Sequence, residues 1–171
     1  MVDLKVLLKE DEIQKRLSEM AKEIDEYYKG EEILVICVLR GAIYFFTDLT
    51  KKMKTPMQPD FIRISSYNGT ETTQKINIIN DLCEDIKGKK VLVVEDIIDT
   101  GYTLKYLKQY LLSKEPEDLK IVVLADKKDR RKVDIDIDFI GFEIPNNYVV
   151  GYGFDYYNTC CNLPYIGYIE N

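Results

Sequence analysis

The chain contains no histidine. That excludes Ser-His-Asp and Cys-His nucleophile pairs and every histidine metal ligand, so acid–base chemistry must fall to Asp, Glu, Lys, Tyr or Cys. No apolar stretch approaches the roughly 18–20 residues of a membrane-spanning helix. Cysteine is sparse: Cys37, Cys83, Cys160 and Cys161 show no zinc-ligand spacing, and in a cytoplasmic protein thiols are the expected state. Positive charge is also short, 24 Lys and Arg against 30 Asp and Glu for a net charge of −6. Nucleic acid and anionic membranes, which need a cationic surface, are therefore not expected partners. An anionic small molecule would need a local cradle or a metal. The opening MVDLKVLLKEDEIQ carries acids among its first residues and no apolar core of a secretory signal, so a cytoplasmic location is expected. Internal repeats and low-complexity tracts are missing apart from the charged run KKDRRK (127–132).

What is present is the pattern of one α/β domain in 171 residues. Ile13, Leu17, Met20, Ile24 and Tyr27 or Tyr28 recur at helical spacing between Asp11 and Gly30, which predicts an amphipathic helix with a glycine stop. ILVICVL (33–39) is a β-branched apolar run of the kind buried on both faces of a parallel sheet, and RGAIYFFTDLTKKM (40–53) reads as the helix after it. FIRISSY (61–67) predicts a strand following Pro56 and Pro59, then a polar loop, NGTETTQK (68–75), before INIIND (76–81). VLVVE (91–95) leads through an acidic turn into TLKYLKQYLLSK (103–114), with Leu104, Leu107, Leu111 and Leu112 on one stripe. IVVLAD (121–126) is a further buried strand, and VDIDIDFIGFEI (133–144) predicts one nearer an edge. Strands alternating with helices imply an open, mostly parallel central sheet flanked by helices.

The chemistry concentrates in VLVVEDIIDTGYTL (91–104). Ligands of open parallel sheets bind where strands end and turn into helices, and Glu95 and Asp96 sit at such an end. The turn Asp99, Thr100, Gly101, Tyr102, Thr103 then opens a helix whose free N–H groups and positive dipole end can receive a phosphate, with two threonine hydroxyls beside them. It is not the nucleotide P-loop, whose lysine and spacing are missing. Carboxylates next to a phosphate would repel it unless the ligand also brings donors, as a sugar phosphate does: the phosphate enters the helix N-terminus while ribose hydroxyls meet Glu95 and Asp96. The plainer alternative is that the acids merely cap the helix in solvent.

These residues carry a resemblance. VLVVEDIIDTG (91–101) resembles the phosphoribosyl-pyrophosphate motif of the type I phosphoribosyltransferases, and four further segments resemble the hypoxanthine-guanine branch in the same order. They are VLRGAIYFFTDL (38–49) for the pyrophosphate loop, SSYNGTETTQK (65–75) for the mobile loop, LADKKDRRKV (124–133) for the purine-lysine segment, and DFIGFEIPNNYVVGYGFDYYNTCCNLPYIGYI (138–169) for the hood over the base. The resemblance implies purine salvage: a phosphoribosyl group passes from phosphoribosyl pyrophosphate to hypoxanthine or guanine, with magnesium (Mg2+) as cofactor and a homodimer or homotetramer as the assembly. It implies one domain spanning 1–171, its hood built mainly from about residue 138 onward together with the N-terminus.

Carried over by position, Glu95 and Asp96 hold the ribose hydroxyls, Asp99 takes the proton from purine N7, and Asp99, Thr100, Gly101, Tyr102 and Thr103 grip the 5′-phosphate. Arg40 and Gly41 face pyrophosphate, in a loop where the family often has a non-proline cis peptide. Ser66 and Tyr67 begin the lid. Lys127 donates to the oxygen at purine C6, Tyr148 stacks on the ring, Val149 reads its edge, and Phe154 and Asp155 border it. Glu95, Asp96 and Asp155 are the acids that face magnesium. One departure is Cys161, where many relatives carry an arginine, and the mobile loop is slightly short.

Composition alone would leave Lys127 as a solvated lysine of a charged run and Tyr148 as one of thirteen tyrosines packed at an edge. Asp134, Asp136 and Asp138 read as an inert outward stripe of a strand, since the glycine of a calcium-binding loop is missing. A xanthine-preferring relative differs only at purine C2. Two rivals come from other classes: a receiver-type signalling domain, whose acidic pair VLVVED resembles, and an RNA-binding regulator on the same fold, which needs the basic patch this chain lacks.

Overall fold

The computed structural model describes residues 4–67, 75–155, 157 and 159–169. Its elements are β1 (Leu4–Leu8), α1 (Glu10–Tyr28), β2 (Ile33–Leu39), α2 (Ile43–Lys52), β3 (Met57–Tyr67), β4 (Lys75–Asn80), β5 (Lys90–Ile98), α3 (Tyr102–Leu112), β6 (Asp118–Asp126), β7 (Phe139–Glu143), β8 (Tyr148–Val150) and β9 (Ile166–Ile169), with a 3-10 turn at Lys128–Arg130. Six strands form the main sheet in the order β4-β3-β2-β5-β6-β7. All its neighbours pair in parallel except β4, antiparallel on the edge. This is the open, mostly parallel sheet that the strand–helix alternation implied.

Alternation along the buried strands divides the core in two. Val35, Cys37, Leu92, Val94, Val122 and Leu124 face α1 and α2; Leu34, Ile36, Val91, Val93, Ile121 and Val123 face α3. Strands covered on both sides read as continuous apolar runs for this reason. Helix α1 buries Ile13, Leu17, Met20, Ala21, Ile24 and Tyr28. Acids at Glu10, Asp11 and Glu12 suit its positive end, and it stops at Lys29, which takes a left-handed conformation before Gly30.

Several boundaries differ from those predicted. Strand β3 begins at Met57 and runs through Pro59, which is tolerated because this half of the strand pairs with β2 alone; β4 joins only from Arg63. Helix α2 starts at Ile43, since Arg40, Gly41 and Ala42 form a turn whose Arg40 carbonyl accepts the Ile43 N–H at 3.2 Å. Leu112 ends α3 half exposed rather than on its buried stripe. The alternating VDIDID stretch is not strand. Side chains satisfy its carbonyls instead: Arg131 donates to the Ile135 oxygen and Lys108 to that of Asp136. Asp138 is not inert either, accepting the Ile121 N–H at 2.9 Å and pairing with Lys120 at 3.0 Å.

A second sheet, β1-β9-β8, is antiparallel and joins the N-terminus to the C-terminal segment. β7 lies in the main sheet, so the small sheet over the strand ends draws on residues 4–8, 148–150 and 166–169. It is fastened to the helical layer by a partly buried network. Tyr152 donates its hydroxyl to Asp48 of α2 at 2.6 Å, and Gln14 of α1 donates to the same carboxylate oxygen at 2.8 Å. Tyr152→Phe, which removes one of these donors and leaves a carboxylate partly unsatisfied, is expected to lower stability by about 1–2 kcal/mol. Urea unfolding followed by far-UV circular dichroism checks this, with the folded spectrum unchanged.

Candidate functional site

The site is created by a difference in strand length. β2 and β5 pair only as far as Cys37 and Val94, whereas β5 continues to Ile98 alongside β6. Beyond Val94 the β2 side of β5 is open, and the chain leaves β2 toward β3 but β5 toward β6. A cleft belongs at such a switch point. One of about 980 Å³ lies there, lined by Arg40 and Gly41 after β2, Asp96 and Asp99 after β5, Lys127 and Arg130 after β6, and Tyr148, Val149, Phe154 and Asp155 from the small sheet and its following loop.

Two glycines allow the walls to meet. A Cβ on Gly41 would lie 1.7 Å from the Asp96 Oδ2, and one on Gly153, at φ 104°, would lie 2.0 Å from the Gly41 carbonyl oxygen. Thus the turn after β2 is pressed between the acid of β5 and the loop that follows β8. The Leu39–Arg40 peptide is cis, as the resemblance led us to expect.

Hydrogen bonds from the adjoining backbone only partly offset the burial of the acids. Glu95 is 8 % exposed; it accepts the Asp96 N–H at 3.0 Å, and Asp96 accepts that of Ile97 at 2.7 Å. Burial, followed by the Asp96 charge, pushes the Glu95 carboxyl well above the usual carboxylate range. Burial also raises Asp96; hydrogen bonds from Glu95 and the backbone oppose the shift and the Asp155 charge adds to it. The same negative field reaches Cys37, whose thiol is pushed up to about 12 by burial first and by Glu95 and Asp96 next. Burying carboxylates is costly unless a partner arrives. Hydroxyl donors or a cation would supply it.

Such a group fits this donor set as a bridging ion rather than a caged one. Among the described residues no three acidic or thiol side chains converge closely enough to hold a metal by themselves, so Glu95, Asp96 and Asp155 do not form a preformed cage. Magnesium characteristically takes one or two carboxylates and completes its shell with water and phosphate oxygens.

Opposite the acids, Lys127 is buried and its amide donates to the Ile98 carbonyl at 3.0 Å. Burial lowers the pKa of its ammonium, the Asp99 charge opposing and the Arg130 charge adding to the shift. Asp126, almost fully buried, is gripped by Arg131 through Nε at 3.0 Å and Nη2 at 2.8 Å, which fixes the turn from beneath. Gly101, φ 88°, is the N-cap of α3, and no side chain caps that helix or places an acid in its first turn. The arrangement leaves the N–H groups of Tyr102 and Thr103 at the positive end of an eleven-residue helix.

Not every expected residue lines the cleft. Arg40, Gly41, Asp96, Asp99, Lys127, Tyr148, Val149, Phe154 and Asp155 do. Glu95 sits buried beside Asp96, and Thr100, Gly101, Tyr102 and Thr103 occupy the helix entrance at its edge. Ser66 and Tyr67 close β3 opposite Ile76 and Lys75; the loop between these strands lies outside the described residues. Tyr148 is 55 % exposed at the rim and donates its hydroxyl to the Asp155 carbonyl at 3.1 Å. Sequence reasoning missed Arg130, Tyr44 and Asn146 on the cleft wall. Arg130 was hidden within a charged run; neither of the others carries a local signal.

Comparison with known proteins agrees with this geometry. The model of the phosphoribosyl transferase domain matches residues 4–157. The chain is 46 % identical over 167 residues to the hypoxanthine-guanine-xanthine phosphoribosyltransferase of Tritrichomonas foetus, covering 97 % of this chain and 91 % of that protein. It is 46 % identical over 170 residues to the hypoxanthine-guanine phosphoribosyltransferase of Aquifex aeolicus, covering 98 % and 96 %. A crystal structure of a hypoxanthine-guanine phosphoribosyltransferase from Bacillus anthracis superposes with a TM-score of 0.94 at 42 % identity, covering 99 % of this chain and all of that one.

The buried Glu95 yields a pH test. A carboxyl whose folded pKa is raised contributes stability that is complete below the unfolded value, about 4, and is lost as pH rises through the folded value. Glu95→Gln, which cannot ionise, should therefore raise the melting temperature of the ligand-free protein by a few degrees at pH 7. The gain should fade toward pH 4. Calorimetric melting across that range checks it.

Proposed function

The chain belongs to the phosphoribosyl transferase family, and from that premise we propose how its cleft performs purine salvage, moving a 5-phosphoribosyl group from phosphoribosyl pyrophosphate to hypoxanthine or guanine to give IMP or GMP and pyrophosphate. The observation that carries the reading is the meeting in one cleft of Asp96 and Asp99, a buried lysine and an exposed tyrosine, beside an uncapped helix N-terminus. Each matches one part of a nucleoside monophosphate.

The 5′-phosphate sits over the turn from Asp99 to Thr103, bound by backbone N–H groups at the start of α3 and by the two threonine hydroxyls. The ribose diol donates to Glu95 and Asp96, relieving the cost of their burial. The base lies against Tyr148, its ring edge read by the Val149 backbone and its lower end bordered by Phe154 and Asp155. Lys127 donates to the oxygen at C6. It would give a keto purine a charged partner and an amino purine only a clash of donors, so adenine is rejected.

Transfer forms a bond from N9 to C1′ and breaks the bond from C1′ to a pyrophosphate oxygen. Positive character develops on the sugar and is favoured by the neighbouring carboxylates; negative charge develops on the leaving group and is favoured by Arg40 and the Gly41 backbone. As N9 attacks, N7–H becomes acidic, and Asp99 accepts that proton. Asp96 and Asp155 would hold magnesium, which would supply further charge neutralisation on the leaving group. The strand ends carrying Ser66 and Tyr67 deliver the loop that shuts water out of the reaction.

The enzyme works as a homodimer or homotetramer in the cytoplasm on this reading, and no described helix is long and apolar enough to cross a membrane. The test is an assay of hypoxanthine, guanine and xanthine with phosphoribosyl pyrophosphate and Mg2+. Asp99→Asn is expected to lower kcat by about 10²-fold or more while IMP binding changes little, as befits a lost proton acceptor. Full turnover in that variant would remove Asp99 from the role.

A further inference from the structure

We infer that Arg130 is a displaceable latch on the base subsite, holding Asp99 in the ligand-free enzyme and giving way when the purine arrives. The inference rests on the reading of Asp99 as the acceptor of the purine N–H, and adds a residue to which no part of that reading assigns a role.

Arg130 ends the 3-10 turn that follows Lys127. Its Nε lies 2.7 Å from the Asp99 Oδ1, while its Nη1 donates to the Asn146 Oδ1 at 3.2 Å. Asp99, Lys127, Arg130 and Asn146 all line the cleft, so the guanidinium spans the base subsite from the acid after β5 to the segment that enters β8. The contact with Asp99 is close but misdirected: Oδ1 is shut off from solvent and has no aligned hydrogen-bond donor among the described residues. A buried acceptor facing a cation at the wrong angle is still short of a donor. A purine N–H approaching along the ring plane would provide one, and cannot do so while Arg130 stands there.

The latch is built to release. Both partners are about two-fifths exposed, where an ion pair contributes little. The backbone beneath stays put, because the adjacent Arg131 is committed to Asp126 and to the Ile135 carbonyl, and the Arg130 amide donates to the Lys127 carbonyl at 2.8 Å. Only the Arg130 side chain has to swing. Lys127 therefore keeps its position as the base enters, and the cation next to it leaves. Because the base must displace the latch, its apparent affinity is lowered by the fraction of molecules that are closed.

Steady-state kinetics with hypoxanthine, at saturating phosphoribosyl pyrophosphate and Mg2+, tests this. Arg130→Met keeps the stem and removes both contacts; the KM for hypoxanthine is expected to fall about two- to five-fold, the range an exposed ion pair corresponds to, with the KM for phosphoribosyl pyrophosphate unchanged. Asn146→Ala, which frees one end of the latch and leaves the turn intact, should lower the same KM by less. In the Asp99→Asn background, Arg130→Met should bring no further fall. An unchanged or raised hypoxanthine KM in both Arg130→Met and Asn146→Ala overturns the latch. Normal turnover in Asp99→Asn would instead overturn the reading of the base acceptor, so the two failures are told apart.

Discussion

Everything in the cleft depends on β5 outrunning β2. Where the two strands part after Val94, the backbone of β5 is still held in line by β6 as far as Ile98, so two acids are carried forward on a strand paired on its β6 side alone. A loop could not hold them there, because their burial is unfavourable and a flexible segment would turn them to solvent. The ladder with β6 fixes Glu95 opposite Val123 and Ile98 opposite Asp126. That second register sets the Asp99 turn beside Lys127, whose amide reaches back to Ile98. Acid and lysine are thus positioned by one pair of strands.

The cleft is also unfinished in electrostatic terms, and its two ends are unfinished in opposite senses. Burial drives Glu95 and Asp96 toward their neutral forms and drives Lys127 toward its own. Burial is the first cause of each shift. A ligand carrying hydroxyl donors at one end and a carbonyl acceptor at the other relieves both at once. A ligand lacking either group leaves one of these buried groups without a partner. Discrimination by unpaired polar groups is stronger than discrimination by shape alone.

Much of this was legible in the sequence because the signals were local. The apolar runs of β2, β5 and β6 reflect burial on both faces, and VLVVEDIIDTG joins strand, acids and helix entrance within eleven consecutive residues. What could not be read depends on contacts distant in sequence. Val133–Asp138, expected to begin an edge strand that starts only at Phe139, is not strand, because Arg131 and Lys108 satisfy carbonyls there that a ladder would have used. β1 pairs with β9 across nearly the whole chain, and so short a strand has no period long enough to betray it. Arg130 and Arg131 are neighbours of one type in one charged run, yet the first faces the cleft and the second holds Asp126 beneath it. Nothing in KKDRRK distinguishes them.

The glycine contacts explain why the small sheet cannot be treated as a separate cover. Gly153 lies so close to the Gly41 carbonyl, and Gly41 to Asp96, that a side chain at either glycine would drive the walls apart. The loop after β8, the turn after β2 and the acid of β5 therefore form a single stack of backbone and carboxylate. Tyr152, next to Gly153, ties that stack to Asp48 and, through Gln14, to α1. A movement at Gly153 would be transmitted to Asp96 through these contacts, since close-packed backbone shifts as a unit rather than yielding atom by atom.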